Sequence, residues 1–306
     1  MSKQESIEFY NRYTGQLETE KVYGDFMVKL LYNSTPGKIL TPFFANRYIS
    51  QVYGLMQNSM TSKLKVPKFV KNFAIDLGDY EPGSRKVSNQ SLSYKNFNEF
   101  FIRKFREGKR TFKSGESILP ACAEARYYGY ESVGEETVVP VKGKYLNEEK
   151  ILRNPELAKD FAGGPLLIAR LCPVDYHRYH YIDDGKTLAN YHIKGEYHSV
   201  NPLALKFKND IFMANERRVS ILETENFGKI AYVEVGAVCV GKIVQSHPEE
   251  KPFKRGDEKG YFLFGGSTVI LMGQKGKWSP SKDILENTKL GRETYIHLGD
   301  EIGQKS

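Results

Sequence analysis

The chain has 306 residues, of which 40% are hydrophobic, and its formal net charge is +8. This length suffices for one large domain or two small ones, and the three cysteines form neither a metal-binding spacing nor an even-numbered disulfide framework, which favours a reducing compartment. No apolar run reaches 18 residues and no apolar signal core opens the chain, so we expect neither a membrane-spanning helix nor an export signal.

Two amphipathic helices are predicted near the start of the chain. Residues 23–31 place apolar side chains at helical spacing, and a second pattern of this kind runs over about 40–58. The STPGK stretch at 34–38 separates them, because proline and glycine end helices. Helices of this kind either lie in a membrane interface or cover a protein core, and the periodicity fits both.

The stretch from residue 26 to residue 75 contains no acidic residue, and aromatic side chains are interleaved with its basic ones. The basic residues are Lys29, Lys38, Arg47, Lys63, Lys65, Lys68 and Lys71. Such a surface fits an anionic bilayer or a nucleic acid. No recognised nucleic-acid-binding motif accompanies the charge, so we expect no nucleic-acid partner. Residues 1–75 are therefore predicted to form a helical, basic, membrane-associating region.

The rest of the chain, 76–306, is predicted to be rich in β-strands. A short helix is expected over 95–105 and a helical pattern over 147–161, whereas β-branched and aromatic segments dominate from about residue 117. The strand-like runs include 164–171, 229–244 and 260–272. We expect an α+β fold, with a β-rich domain following the helical N-terminal region.

The segment CPVDYHRYHYID, residues 172–183, holds two histidines three positions apart, His177 and His180. This spacing on a helix would suit zinc, but no third ligand accompanies it, and the proline and aspartate favour a loop, so we expect no metal site. A pair of histidines in a loop can supply a general base and a general acid near neutral pH. A surface loop packed by tyrosines is the alternative.

A second unusual segment, YFLFGGSTVILM at 261–272, places Ser267 after two glycines and between two apolar runs. No G-x-S-x-G nucleophile elbow surrounds this serine. Small residues before it would allow its hydroxyl to attack the carbonyl of Gly266. The resulting N-to-O acyl shift and β-elimination would break the chain and leave a pyruvoyl group at position 267. An ordinary strand turn explains GGST equally well when the motif is taken alone.

Taken together, the motifs resemble one family. GEYHSVNPLAL (195–205), ANERRVS (214–220), VEVGAVCVGKIVQSH (233–247) and EKGYFLFGGST (258–268) accompany CPVDYHRYH, and YNRYTGQLETEKVYG and FNEFFIRKF stand near the start. In this order they are similar to the bacterial, pyruvoyl-dependent phosphatidylserine decarboxylase family, in its clostridial and chlamydial branch. The resemblance extends from about residue 8 to Gly303.

The resemblance implies a proenzyme that cleaves itself between Gly266 and Ser267, giving a β chain of residues 1–266 and an α chain of residues 267–306. Ser267 would become a covalent pyruvoyl cofactor that forms a Schiff base with phosphatidylserine and releases CO₂ to give phosphatidylethanolamine. His180 matches the family's histidine for self-cleavage, and His177 matches the histidine linked to decarboxylation. Residues 76–306 would then be the catalytic domain, and a homodimer is compatible with the family.

The chain departs from the family pattern at the acid of the self-cleavage relay. The family has an aspartate there, whereas PACAEARYYGYES, residues 120–132, places Glu124 at that position and Cys122 where proline is usual. No aspartate occurs between Asp79 and Asp160. We expect Glu124 to serve as the relay acid, with an extra methylene that affects the rate of maturation.

The phosphatidylserine substrate stays in an anionic membrane, so the resemblance also implies a peripheral protein on the cytoplasmic side of the cell membrane. The basic N-terminal stretch would then attract the lipid surface. Two alternatives stay open at this point. One is a pyruvoyl-dependent decarboxylase of a free amino acid, and the other is an uncleaved protein that binds a membrane surface.

Overall fold

A computed structural model describes residues 7–20, 54–132, 138–139, 144–200, 204, 210–237, 242–265 and 267–306, with backbone alone at 138–139 and 144–145. The helix predicted over 23–31 and most of that predicted over 40–58 lie outside these residues, as does Gly266. The backbone is helical at 54–58.

A nine-stranded sheet organises the described part of the chain. Its strands are β1 (Glu8–Asn11), β2 (Gln16–Thr19), β4 (Ala125–Tyr130), β7 (Leu166–Leu171), β9 (Gly185–Ile193), β10 (Arg217–Thr224), β11 (Gly228–Gly236), β14 (Ser267–Gly273) and β16 (Glu293–Ile296), in the order β2-β1-β16-β4-β7-β14-β11-β10-β9. Neighbouring strands are antiparallel except for β1 and β16, which are parallel. The continuous apolar runs of β7 and β14 suit central strands that are buried on both faces.

Three smaller sheets lie beside the large one. One has the order β12 (Ile243–Gln245), β13 (Glu258–Phe262) and β8 (Arg178–His180). A second has the order β15 (Trp278–Pro280), β17 (Glu301–Lys305) and β3 (Ile118–Pro120), and the third pairs β5 (Val138–Val139) with β6 (Lys144–Tyr145). β13 of the first small sheet ends at Phe262 and β14 of the large sheet begins at Ser267, so a short segment connects the two sheets.

The helices are short. They are α1 (Lys65–Phe73), α2 (Phe97–Phe101), α3 (Glu148–Leu152), α4 (Pro155–Ala158), α5 (Ile211–Ala214) and α6 (Lys282–Lys289). The Asn96 side chain begins α2 by accepting a hydrogen bond from the Glu99 backbone. Within the described ranges, no helix is both long enough and apolar enough to cross a bilayer.

A cluster of apolar side chains packs α1 and α2 against the end of the segment that precedes β14. Its buried members are Val66, Phe69, Tyr94, Phe97, Phe100, Phe101 and Phe264. The ring of Phe264 lies 5.0 Å from that of Phe97 and 4.8 Å from that of Phe101. The apolar side chains of these two helices therefore fix the chain three residues before Ser267.

The α+β expectation is confirmed, and two local expectations are corrected. The segment 147–161 is two helices rather than one, because Arg153 adopts a left-handed φ of 48° and Pro155 starts a new helix at its first turn. The segment 172–183 was expected to be a loop, but Arg178–His180 forms β8, which pairs with β13 about 80 residues later. Residues 8–19, which were not expected to contribute strands, form an edge of the large sheet.

Candidate active site

Ser267 is the first residue of β14 and lies between Gly236 of β11 and Leu171 of β7. It is fully buried, and its Oγ has no hydrogen-bond partner among the described residues. A buried hydroxyl without a partner costs about 1–3 kcal/mol, so it calls for an explanation. Gly265, two residues earlier, has a φ of +148°, a conformation that favours glycine.

The segment before Ser267 is held by hydrogen bonds to two other parts of the site. The Phe262 backbone N–H donates to the carbonyl oxygen of His177 at 2.9 Å. The Phe264 backbone N–H donates to Asn98 Oδ1, also at 2.9 Å. The bond that the resemblance marks for cleavage therefore follows directly on a segment anchored to α2 and to the histidine pair.

His177 is fully buried, and its ring lies against that of Phe101 at 3.8 Å between centroids. Its Nδ1 is 3.0 Å from the carbonyl oxygen of Asp175, which can only accept, so Nδ1 carries the proton and Nε2 carries the lone pair. Burial lowers the pKa of His177 to about 3, although the backbones of Asp175 and Gly265 favour the protonated ring. The Nε2 atom makes no hydrogen bond of good geometry within the described chain. His177 is thus a neutral ring with an available acceptor beside the cleavage segment.

His180 ends β8, and both of its ring nitrogens are occupied. Nδ1 is 2.9 Å from the carbonyl oxygen of Gly256, and Nε2 is 3.3 Å from the hydroxyl of Tyr176. Burial is the main cause of the lowered pKa of this histidine, as at His177. The His180 backbone N–H donates to the carbonyl oxygen of Cys122 at 2.8 Å, which ties β8 to the loop that carries Glu124.

Glu124 is buried and bound by three groups. Arg110 donates from Nε at 2.5 Å and from Nη2 at 2.9 Å, and the hydroxyl of Tyr295 donates to Oε1 at 3.0 Å. The Leu298 backbone N–H lies 3.4 Å from Oε2. No hydrogen bond between Glu124 and His180 occurs in the described part of the chain. The structure thus bonds the His180 backbone to Cys122, two residues before Glu124, whereas the side chains of His180 and Glu124 bond elsewhere.

A buried ionic network supports the segment that carries the histidines. Asp175 accepts hydrogen bonds from Arg126 Nη1 at 2.6 Å and from the Cys172 backbone at 2.7 Å. Arg170 bonds Glu20 and Glu293, so the network joins β7, β16 and the residue that follows β2. No role was predicted for these arginines from the sequence. An arginine inside an apolar strand such as LLIARL is the signal that could have found them, because buried arginines are almost always paired.

Among the described residues, no group of three or more His, Cys, Asp or Glu side chains is placed so that it could hold a metal ion.

Comparisons with known proteins point to one family. The profile of the phosphatidylserine decarboxylase family matches residues 97–304. Phosphatidylserine decarboxylase proenzymes from Clostridium tetani and Clostridium kluyveri are each 41% identical over 300 residues, covering 98% of this chain and 98% and 99% of their own lengths. The proenzyme of Clostridium perfringens is 40% identical over 301 residues and is covered completely. This chain belongs to the phosphatidylserine decarboxylase family.

Proposed function

We propose that this chain is a proenzyme that cleaves itself between Gly266 and Ser267 and then decarboxylates phosphatidylserine to phosphatidylethanolamine. The observation that carries the proposal is the Ser267 hydroxyl, which is fully buried and has no partner in the described chain, at the start of a central strand. A role as nucleophile for the preceding carbonyl gives a reason for such an atom.

Self-cleavage then needs no outside reactant except water. Ser267 Oγ attacks the carbonyl carbon of Gly266, and the peptide bond is replaced by an ester as the nitrogen of residue 267 becomes an amine. Loss of the Cα proton of residue 267 expels the Gly266 carboxylate. Water then replaces the nitrogen, ammonia leaves, and the chain of residues 267–306 begins with a pyruvoyl group.

The surrounding residues fit this group because residue 267 is fully buried, its hydroxyl makes no hydrogen bond within the described chain, and His177, a neutral imidazole, is bonded through its backbone to the preceding segment. The pyruvoyl carbonyl supplies the electrophile that takes the substrate amine and accepts the electrons released with CO₂. His177 is proposed to place the substrate, to take up a proton at Nε2 and to return it to the carbon that CO₂ leaves, since its ring lies beside the cleavage segment. His180 and Glu124 are proposed to serve the self-cleavage step.

Membrane docking is proposed for the residues around 54–73. Four large apolar side chains are exposed there, between 57% and 70% of their area, which is an unusual concentration. They are Leu55, Met56, Met60 and Leu64. Lysines at 63, 65, 68 and 71 accompany them without an acidic neighbour in sequence, and such lysines attract an anionic surface at roughly 1 kcal/mol each. Cys122 and Cys172 are unpaired, which suits a protein on the reducing, cytoplasmic face of the cell membrane.

The activity is tested by incubating the purified protein with phosphatidylserine vesicles and measuring phosphatidylethanolamine and CO₂. Wild type should form both, Ser267→Ala neither, and His177→Ala should still be cleaved while losing turnover. His180→Ala should remain a single chain. Decarboxylation of free amino acids without conversion of the lipid would contradict the proposal.

A further inference from the structure

A cavity of about 380 Å³ opens between α2 and the segment that precedes Ser267. Four cationic side chains contribute to its lining, and they are Lys95, Arg103, Lys104 and Arg178. The role proposed above for the catalytic residues leaves this cavity without a function.

Arg103 stands out among these cations because it is 3% exposed and has no carboxylate partner in the described chain. Its Nη2 donates to the carbonyl oxygens of Val174 at 2.9 Å and Asp175 at 3.3 Å, and its Nε has no partner there. A buried arginine is normally paired with an acid. This one is held in place by carbonyl groups and by the rings of Tyr80 and Phe100, with its charge uncompensated.

The acidic residues of the cavity form no ion pair with Arg103 in the described chain. Glu99 uses its two carboxylate oxygens on the backbone N–H groups of Ser84 and Lys95, and Glu81 is exposed at the rim. Arg178 is already paired with Glu258 at 2.7 Å. The cavity therefore keeps an excess of positive charge, centred on Arg103 and completed at the rim by the exposed Lys104.

The cavity is next to both the reacting position and the proposed docking surface. Arg103 and His177 share the carbonyl oxygen of Asp175, and the charge of Arg103 is close enough to lower the pKa of His177. Leu263 lines the cavity four residues before Ser267, and Asn58 lines it between the exposed Met56 and Met60. The cavity is therefore lined by residues of both the proposed docking surface and the segment that leads to residue 267.

We infer that Arg103 and Lys104 form the subsite for the phosphodiester of the lipid head group, an inference that rests on the proposed function. A phosphodiester keeps its charge throughout the reaction, and a short two-carbon link separates it from the reacting amine. The substrate carboxylate is a poorer candidate, because an arginine bound to it would stabilise the ground state and oppose the loss of CO₂. Arginine also matches phosphate oxygens with its planar fork of donors.

Binding of water-soluble glycerophosphoserine to the full-length Ser267→Ala chain tests this, since that variant cannot mature. Titration calorimetry should show binding that weakens about tenfold or more in Arg103→Lys, which keeps the charge but loses the fork. The exposed Lys104→Gln should weaken it about threefold. Arg106→Lys, a nearby arginine outside the cavity, is the matched control and should bind as the parent does.

In the mature enzyme, Arg103→Lys should raise KM for phosphatidylserine with little change in kcat, because phosphate binding contributes equally before and during the reaction. Circular dichroism shows whether Arg103→Lys is folded. If it is not, glycerophosphoserine binding by Lys104→Gln tests the inference instead. Unchanged glycerophosphoserine binding in both variants would overturn the inference, as would inorganic phosphate binding just as tightly. If the wild-type chain never matured, the proposed function would be refuted, whereas Arg103-dependent binding of glycerophosphoserine would still support the subsite.

Discussion

Ser267 Oγ and His177 Nε2 are two buried polar atoms without a hydrogen bond of good geometry in the described chain, and the backbone of Gly265, two residues before Ser267, is near enough to affect the pKa of His177. Each would cost stability if it served the fold alone. The presence of both atoms is the reason, at the scale of residues, to regard the start of β14 as reactive.

The GGST motif and the histidine pair could be found in the sequence. The tautomer of His177 could not, since it depends on the Asp175 carbonyl and on burial by Phe101.

The proposed role of Glu124 as the relay acid can be tested with a single substitution. Glu124→Gln keeps the shape of the side chain but removes the charge that a relay acid needs, so self-cleavage should slow by about tenfold or more. The rate is measured as loss of the full-length chain over time, with the exposed Glu131→Gln as the control. A normal rate in Glu124→Gln would show that the relay role is wrong and that Glu124 is a structural partner of Arg110.

Protonation of His177 gives a second prediction. The unfolded state takes up the proton near pH 6.5, whereas the folded state does so only near the lowered pKa of about 3. As pH falls from 6.5 towards 3, His177 should therefore reduce the free energy of unfolding by up to about 1.4 kcal/mol per pH unit. Above pH 6.5 this contribution to the pH dependence should vanish.

This dependence is measured by urea unfolding of the Ser267→Ala chain with and without His177→Asn at several pH values. The stability curves should diverge below pH 6.5, with the chain that retains His177 losing more. The exposed His192→Asn is the control. Parallel curves for all three chains would mean that His177 is not buried as a neutral ring.

At the scale of elements, the junction between β13 and β14 depends on contacts from distant parts of the chain. The apolar runs of β7, β11 and β14 could be predicted from the sequence, because strands buried on both faces lack polar alternation. β8 was missed because its three residues become a strand only by pairing with β13. β1 and β2, with four residues each, are likewise too short for a periodicity signal.

The Arg170 network is the element-scale feature with the clearest energetic consequence. Arg170 is buried and joins β7 to Glu20 and Glu293, which are 150 and 123 residues away in sequence. Arg170→Ala leaves two buried carboxylates with less compensation, so it should lower the free energy of unfolding by about 3–5 kcal/mol.

The control for this prediction is Lys159→Ala, which breaks the exposed Lys159–Glu156 pair and should change stability little. Both variants are compared by urea unfolding in the Ser267→Ala background, where every molecule is a single chain. Equal stability of Arg170→Ala and its parent would show that the network does not hold the N-terminal strands to the sheet.

At the scale of the whole molecule, the cavity beside α2 is lined both by Asn58, within the proposed docking surface, and by Leu263, four residues before Ser267. Leu55→Asp combined with Met60→Asp should abolish flotation with anionic vesicles, because the charges oppose insertion of the exposed apolar side chains. Self-cleavage and turnover of a water-soluble, short-chain phosphatidylserine should persist. Leu290→Asp, an equally exposed leucine after α6, is the matched control. Flotation that survives the double substitution would place the docking surface elsewhere.

Intact-protein mass spectrometry of the wild type and Ser267→Ala tests the central claim most directly. The account predicts that wild type gives two masses, residues 1–266 and a pyruvoyl-blocked fragment of residues 267–306, while Ser267→Ala gives one full-length mass. A single full-length mass for both proteins, under conditions in which the wild type is folded, would contradict self-cleavage and leave an uncleaved membrane-binding protein in its place.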